Sequence, residues 1–138
     1  MTRLTIAVPN YNGGKNLQRA IESCKKIKIP LEDYEILIAD NCSTDNSIDI
    51  INELNNEFSN LVLIENKENV GRIQNWNVCL ENAKGKFLIF LFSNDTINDQ
   101  NNIHEILEIL DKNEKISIGF SSLLKKEIDN SYIKKLFS

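Results

Sequence analysis

The chain alternates short, wholly apolar runs with segments in which apolar residues recur at helical spacing, and this alternation most constrains its fold. The apolar runs predict strands at residues 3–8, 34–39, 61–64, 86–92 and 116–120. Strands that are apolar throughout and are separated by helices belong in a parallel sheet covered on both faces. The sequence therefore predicts an α/β fold, a three-layer, Rossmann-like sheet of mainly parallel strands.

Helical periodicity is present between these strands and after the fourth. The first helix should span residues 15–27, and the second should follow capping side chains at 43–45. We expect the third helix to bury Trp76 in the core, and we expect Pro9 to stop the first strand. The apolar positions that define the helical faces are Leu17, Ala20, Ile21, Cys24 and Ile27; Ile48, Ile51, Leu54 and Phe58; Ile73, Trp76, Leu80 and Ala83; and Ile103, Ile106, Leu107 and Leu110.

Polar clusters follow the predicted strands at the point where each strand ends. They occupy residues 9–12, 40–45 and 93–95. Right-handed crossovers place the carboxyl ends of parallel strands at one edge of the sheet, and open α/β sheets bind their ligands there. We therefore expect these loops to converge on a single cleft.

Length and charge exclude several classes of protein. At 138 residues the chain forms one domain, which we place at residues 1–124. A tail follows at residues 125–138. We expect this tail to be helical or loose, and to be available to a partner or a second copy. The net charge of −4 argues against nucleic-acid binding, which needs a basic surface. No apolar run approaches the roughly 20 residues of a membrane-spanning helix. We expect a cytoplasmic chain with reduced thiols, either soluble or peripheral at the inner face of the membrane.

Several motifs occur in an order that is characteristic of one enzyme family. They are VPNYN at 8–12, YEILIADNCSTDNS at 34–47, and ENVGRIQNWNVCLENAKGKF at 68–87. From about Leu4 to about Ile118, the chain resembles the nucleotide-binding half of a family 2 glycosyltransferase with the GT-A fold. The family's spacing is kept at Asn69, Gly71, Asn77, Ala83 and Gly85.

The resemblance implies a role for each loop. Pro9 and Tyr11 would line the pocket for the base, and Asp40 would accept hydrogen bonds from the base or ribose. Arg72 would contact the diphosphate. Asp95 would hold a divalent metal, Mn²⁺ or Mg²⁺, that bridges the phosphates. The residues assigned to the nucleotide are Pro9, Tyr11, Asn12, Asp40, Asn41, Arg72 and Asn94.

The acidic motif after the fourth strand is depleted relative to the family's pattern. Phe92 and Asn94 stand where the family usually has carboxylates, so only Asp95 remains. One aspartate can anchor the metal if phosphates and waters fill the other positions, so we expect weak metal binding. Asp95 has a second interpretation, as an ordinary turn or N-cap residue beside Thr96.

The leading hypothesis is an inverting, metal-assisted transfer of sugar from a nucleotide-sugar, with UDP favoured, to a glycan or lipid-linked acceptor. We expect the chain to be the donor-binding half, truncated before the acceptor half, and we assign no residue as the catalytic base. The alternative is a catalytically inactive remnant that binds a nucleotide or a protein. A nicotinamide-dependent Rossmann enzyme is disfavoured because residues 9–12 lack the Gly-x-Gly-x-x-Gly turn.

Overall fold

The computed structural model describes residues 1–98 and 102–113, and its centre is a sheet of four parallel strands. The strands lie in the order β3-β2-β1-β4, so β1 and β2 are central within the described chain. This arrangement confirms the predicted α/β class. The predicted fifth strand at 116–120 and the tail at 125–138 lie outside the described residues. The strands are β1 (Leu4–Asn10), β2 (Tyr34–Asp40), β3 (Leu61–Glu65) and β4 (Phe87–Phe90).

Helices cover both faces of the sheet. The first, second and fourth helices share one hydrophobic cluster with the sheet, whereas the third packs on the opposite face of β1 and β2. Short 3₁₀ turns at Cys24–Lys26 and Leu31–Asp33 complete the crossover from the first helix to β2. In the described part of the chain, no helix is both long enough and apolar enough to span a bilayer. The helices are α1 (Gly14–Ser23), α2 (Ser47–Leu54), α3 (Arg72–Asn82) and α4 (Asn102–Lys112).

Alternation along the central strands assigns each side chain to one face. In β1, Leu4, Ile6 and Val8 enter the large cluster under α1 and α2. Ala7 points to the other face, where it meets Ala39 of β2 beneath α3. Side chains of a strand point alternately to opposite faces, so both faces of β1 are filled and the strand is buried along almost its whole length.

The first strand runs through Pro9, contrary to the expectation that proline would end it. Pro9 pairs with Ala39 in the parallel register, and the strand continues to Asn10. The backbone of Ala7 is directed towards β4 and accepts a hydrogen bond from the N–H of Leu91. The backbone groups of every second residue in a strand point to the same neighbouring strand, so the ring nitrogen of Pro9 also points to the β4 side. The pairing of β1 with β4 ends before Pro9, at Ala7 and Phe90. The missing N–H therefore removes no hydrogen bond of the sheet.

The predicted buried face of α3 was wrong. Ile73 is 63% exposed and Leu80 is 53% exposed, whereas Asn75 and Cys79 are buried. The sheet beneath α3 offers the small side chains Ala7 and Ala39, and the Asn75 amide can approach closely enough to bond a strand carbonyl. Away from the sheet the helix carries an apolar stripe, which we define as Ile73, Trp76 and Leu80. Ile73 and Leu80 are exposed, whereas Trp76 is half-buried against Phe90 and Phe92.

The end of α4 is tied to the amino-terminal ends of β1 and β4. Asp111 accepts hydrogen bonds from Arg3 Nη2 and Lys86 Nζ, both at 2.7 Å. Nearby, Gly85 lies so close to β1 that an added Cβ would sit 2.4 Å from the backbone nitrogen of Thr5. Glycine is therefore required at Gly85 by the close approach of two backbones.

Candidate functional site

The loops that follow β1, β2 and β4 meet at the carboxyl edge of the sheet. β1 lies between β2 and β4, so the ends of β2 and β4 are separated by about two strand spacings, roughly 10 Å. Asn12 Oδ1 accepts a hydrogen bond from the N–H of Thr44 at 2.7 Å, which joins the first two loops. Asn16 Nδ2 donates to Asn94 Oδ1 at 3.3 Å, which joins the start of α1 to the loop after β4. The three polar clusters are thus neighbours, as their positions in the sequence predicted.

Asp40 is the most deeply buried of the predicted site residues, at 1% exposure. Its Oδ1 accepts hydrogen bonds from Asn10 Nδ2 at 2.7 Å and from Ser43 Oγ at 2.6 Å. Its Oδ2 accepts the N–H of Ser43 at 2.8 Å. A carboxylate offers about four acceptor positions, so one position on Oδ2 remains for a further donor.

Asn10 belongs to this site and was missed in the sequence analysis. It is 1% exposed and lies directly opposite Asp40 in the register of β1 and β2. Its Nδ2 also donates to Ser43 Oγ at 3.2 Å, while its Oδ1 is buried without a partner in the described part of the chain. The bond to Asp40 fixes which way this amide points, because the opposite orientation would place two acceptors together. The feature that could have identified Asn10 is its place at the end of β1, opposite Asp40 at the end of β2.

Asn12 connects the β1–α1 loop to the β2–α2 loop. It adopts a left-handed backbone conformation with φ of 52°, and its N–H donates to Ser43 Oγ at 2.9 Å. Its Oδ1 additionally lies 3.3 Å from the N–H of Asp45. The neighbouring Tyr11 is 51% exposed, so its ring is available at the surface beside half-buried Pro9.

Asn41 points away from Asp40, towards the loop between β3 and α3. Its side chain is buried, and its Oδ1 accepts the N–H of Val70 at 2.9 Å. Its Nδ2 donates to Asn69 Oδ1 at 2.9 Å. Asp40, the last residue of β2, and Asn41, the residue that follows it, therefore hold two different loops. The predicted contact of Asn41 with a nucleotide stays a prediction.

Arg72 is the first residue of α3 and lies at the same edge of the sheet. It is exposed, and it forms no ion pair with the residues that the structure describes. Gly71, which precedes it, has φ of 84° and ψ of 164°, and no side chain caps the helix. The guanidinium group is therefore available to an anion from solution.

The loop after β4 carries Asn94 and Asp95, and also Phe92, whose ring is exposed. The N–H of Asp95 donates to the carbonyl of Phe92 at 2.8 Å, which closes a turn. The side chain of Asp95 has no hydrogen-bond or ion-pair partner among residues 1–98 and 102–113. Phe92 is 39% exposed and stacks on Phe90 with 6.0 Å between ring centroids. The turn interpretation of Asp95 is thus correct for its backbone, and no donor among the described residues occupies its carboxylate.

The fit of a divalent cation depends on this carboxylate. Within the described ranges, no three His, Cys, Asp or Glu side chains come together as a metal-binding group. Mg²⁺ and Mn²⁺ commonly bind through one or two carboxylates together with substrate phosphates and waters. Asp95 fits such a shared site, whereas it does not fit a site built from protein ligands alone.

A separate depression lies at the opposite, amino-terminal edge of the sheet. It has a volume of about 480 Å³ and is lined by residues that include Glu35, Asn60 and Lys84. Glu35 is already engaged there, because its Oε1 accepts hydrogen bonds from Thr5 Oγ1 and the N–H of Lys84, both at 2.7 Å. None of the predicted site residues lines this depression.

The sequence matches the family described as Glycosyl transferase family 2 over residues 5–136. It is 33% identical over 99 residues to a poly(ribitol-phosphate) beta-glucosyltransferase of Bacillus spizizenii, covering 71% of this chain and 16% of that protein. It is 30% identical to the glucosyltransferase WfaP of Escherichia coli, covering 99% of this chain and 49% of the relative.

A solved structure shows the same architecture. The crystal structure of TarS from Staphylococcus aureus with UDP-GlcNAc superposes with a TM-score of 0.73 at 28% identity. The match covers 80% of this chain and 32% of the TarS chain. The chain thus spans between 16% and 49% of the length of these three proteins.

Proposed function

The chain belongs to glycosyltransferase family 2, and on that premise we propose that it binds the nucleotide-sugar donor at the carboxyl edge of its sheet. The observation that carries the proposal is the junction of the β1, β2 and β4 loops around Asp40. TarS was crystallised in complex with UDP-GlcNAc. This complex supports a UDP-sugar as the donor that this chain binds.

The base and ribose would bind beside Asp40. The remaining acceptor position on its Oδ2 suits an N–H of the base or a hydroxyl of the ribose. The exposed ring of Tyr11 offers an apolar surface on which a base can pack, with Pro9 beside it. Oδ1 of Asn12 already accepts hydrogen bonds within the protein. The Nδ2 atom of Asn12 would therefore donate the hydrogen bond to the nucleotide-sugar.

The diphosphate would lie towards Arg72 and the loop after β4. Arg72 supplies a guanidinium group that can form paired, charge-assisted hydrogen bonds with phosphate oxygens. Asn94 would contribute an amide to the ribose or phosphates, and Asp95 would hold Mn²⁺ or Mg²⁺ weakly together with the phosphates. When bound, such a cation neutralises charge on the departing nucleoside diphosphate.

The transfer itself would be an inverting displacement at the anomeric carbon, with a glycan or lipid-linked molecule as the acceptor. The residues described here bind and orient the donor, and none of them is assigned as the base that deprotonates the acceptor hydroxyl. We propose the transfer activity, the acceptor and a location at the inner face of the membrane for the whole protein.

A second candidate function is supported by the apolar stripe of Ile73, Trp76 and Leu80, in which Ile73 and Leu80 are exposed and Trp76 is half-buried. Together with Phe92, these side chains present an apolar surface that soluble proteins usually cover. A catalytically inactive protein of this fold that binds a nucleotide or a protein would present such a surface. An assay of sugar-nucleotide hydrolysis and transfer tests this second candidate, because an inactive protein gives neither product and formation of either product would refute it.

Calorimetric titration of the chain with UDP, in the presence of Mn²⁺ and again with a chelator, tests the proposed donor site. We expect saturable binding with one site per chain, and a moderately higher affinity with the metal. If no heat of binding is detected up to about 1 mM UDP, which corresponds to about 4 kcal/mol of binding free energy, the proposal is wrong.

A further inference from the structure

Asn41 is the centre of a group of hydrogen-bonded amide side chains beneath the β3–α3 loop. It is 3% exposed, and its Oδ1 accepts hydrogen bonds from the N–H of Val70 and from Asn66 Nδ2 at 3.2 Å. Its Nδ2 donates to Asn69 Oδ1. Three of its four hydrogen-bonding positions are therefore used within the protein. We define the asparagine network as Asn41, Asn66, Asn69 and Asn75.

The network joins β2, the β3–α3 loop and α3 into one unit. Asn66 Nδ2 also donates to Asn75 Oδ1 at 2.8 Å, and Asn75 Nδ2 donates to the carbonyl of Ala39 at 2.9 Å. At its outer end, Asn69 Oδ1 accepts the N–H of Gly71 at 2.9 Å. Asn41 and Asn75 are the buried members, and bonds to buried amides resist breaking because a broken bond leaves a polar group unpaired.

Gly71 shows why the network controls the start of α3. Its φ of 84° and ψ of 164° lie in a region that essentially only glycine adopts, and nothing lies within 4 Å of a Cβ built there. The backbone dihedral angles, and not crowding by the described residues, therefore favour glycine here. The hydrogen bonds from the N–H groups of Gly71 and Val70 to the asparagines hold it, together with the bond from the N–H of Asn75 to the carbonyl of Gly71 at 3.0 Å.

Arg72 follows Gly71 directly, so its position depends on the same bonds. We infer that Asn41 is a positioning residue, which holds Arg72 towards the donor's diphosphate through Asn69 and Gly71 and does not itself touch the donor. This inference rests on the proposed donor site and assigns to Asn41 a role different from a direct nucleotide contact. It predicts that Asn41 affects phosphate binding only while Arg72 is present.

A double-mutant cycle measures this dependence in the full 138-residue chain. UDP affinity is measured for wild type, Asn41→Ala, Arg72→Ala and the double variant. We expect Arg72→Ala to weaken binding about tenfold, through loss of charge-assisted hydrogen bonds. Asn41→Ala should weaken it about fivefold alone and less than about twofold in the Arg72→Ala background, because coupled residues are not additive. Additive losses would overturn the inference.

Uridine, which has no phosphates, distinguishes positioning from general damage to the fold. NMR titration should show that Asn41→Ala binds uridine as wild type does, because the bonds of Asp40 to Asn10 and Ser43 do not involve Asn41. Equal losses for uridine and UDP would show a merely structural role. Asn60→Ala is the matched control, since it removes an amide bonded to the carbonyl of Tyr34 at the opposite edge of the sheet.

Asn69→Ala provides a second route if Asn41→Ala does not fold. Asn69 is exposed, and its replacement removes the bonds to Asn41 and Gly71 while leaving the bond between Asn41 and Val70. It should show the same dependence on Arg72. Failure of wild type to bind UDP would refute the donor site itself, whereas normal UDP binding by Arg72→Ala in a chain that does bind UDP would refute the positioning role alone.

Discussion

Asn10 Nδ2 donates a 2.7 Å hydrogen bond to Asp40 Oδ1, between the last residues of two neighbouring parallel strands. Both side chains are almost completely buried, and Ser43 completes the set of donors around the carboxylate. This pair fixes the β1 and β2 loops to each other before any ligand arrives. A preformed arrangement of this kind reduces the ordering that binding would otherwise require.

Replacement of Asn10 by alanine should destabilise the chain by about 1–3 kcal/mol, because the buried carboxylate of Asp40 loses a donor. The free energy of unfolding in urea provides the measurement. Asn52→Ala, at an exposed position of α2, is the control and should change stability by no more than about 0.5 kcal/mol. Equal stability of the two variants would show that the Asn10–Asp40 bond contributes nothing.

Asp40 and Asp95 should contribute to nucleotide binding in different ways. Asp40→Ala should weaken UDP binding about tenfold with or without Mn²⁺, because it removes an acceptor for the base or ribose. Asp95→Ala should mainly remove the increase in affinity that Mn²⁺ gives. Calorimetry with and without chelator makes the comparison.

Two further variants control this test. Asp40→Asn keeps the size of the side chain and one acceptor oxygen, so it separates the effect of charge from that of folding. Asp49→Ala removes an exposed acidic residue of α2 and should leave affinity unchanged. Equal, metal-independent losses for Asp40→Ala and Asp95→Ala would contradict the assigned roles.

The thiols should differ sharply in reactivity. Burial raises the pKa of Cys24 to about 12 and that of Cys79 to about 11, so both remain protonated at neutral pH. Cys42 is exposed between Asp40 and Ser43. Titration of the native chain with Ellman's reagent at pH 8 should therefore modify one thiol quickly, and UDP should slow that reaction. Cys42→Ser should abolish it; fast modification of all thiols would show that the core is not packed as described.

The attachment of α4 should depend on pH through Asp111. Hydrogen bonds from Lys86 and Arg3 lower the pKa of this carboxyl below its usual value. A lowered folded-state pKa gives stability that is fully present above the unfolded-state value, near 3.9, and is lost as the pH falls through the folded-state value.

Asp111→Asn should accordingly lower the urea midpoint relative to wild type at pH 6. The difference should shrink below about pH 4 and disappear at more acidic pH, once the carboxyl of the wild type is protonated. Unfolding curves of both chains across this range provide the measurement. A difference that is unchanged at pH 2 would mean that the charge of Asp111 does not tether the helix.

The sequence carried enough information for the sheet and for the edge at which its loops meet. Apolar strands such as Tyr34–Asp40 have one stable environment, a sheet covered on both faces, and the handedness of the crossovers then places Asp40 beside the β1 loop. Pro9 misled the prediction because the cost of a missing N–H depends on the neighbouring strand to which it would point. That neighbour is a property of the sheet order and not of the local sequence.

Tertiary contacts decided what periodicity could not. On α3, polar Asn75 is buried, whereas apolar Ile73 and Leu80 are exposed. Asn75 can be buried because its amide donates to the carbonyl of Ala39, where the sheet carries small side chains. Asn10 was overlooked because an asparagine in a strand has no distinctive pattern until its register with Asp40 is known. The direction of a side chain at a strand end is fixed by pairing, which sequence spacing alone does not specify.

The most direct test of the shared donor site is an NMR titration of the isotope-labelled chain with UDP in the presence of Mg²⁺, which is diamagnetic. The account predicts that the largest changes in amide chemical shift occur at residues 10–12, 40–43 and 71–72, all at the carboxyl edge of the sheet. Shifts that saturate instead around Glu35 and Asn60 at the opposite edge, or an absence of saturable shifts, would contradict it.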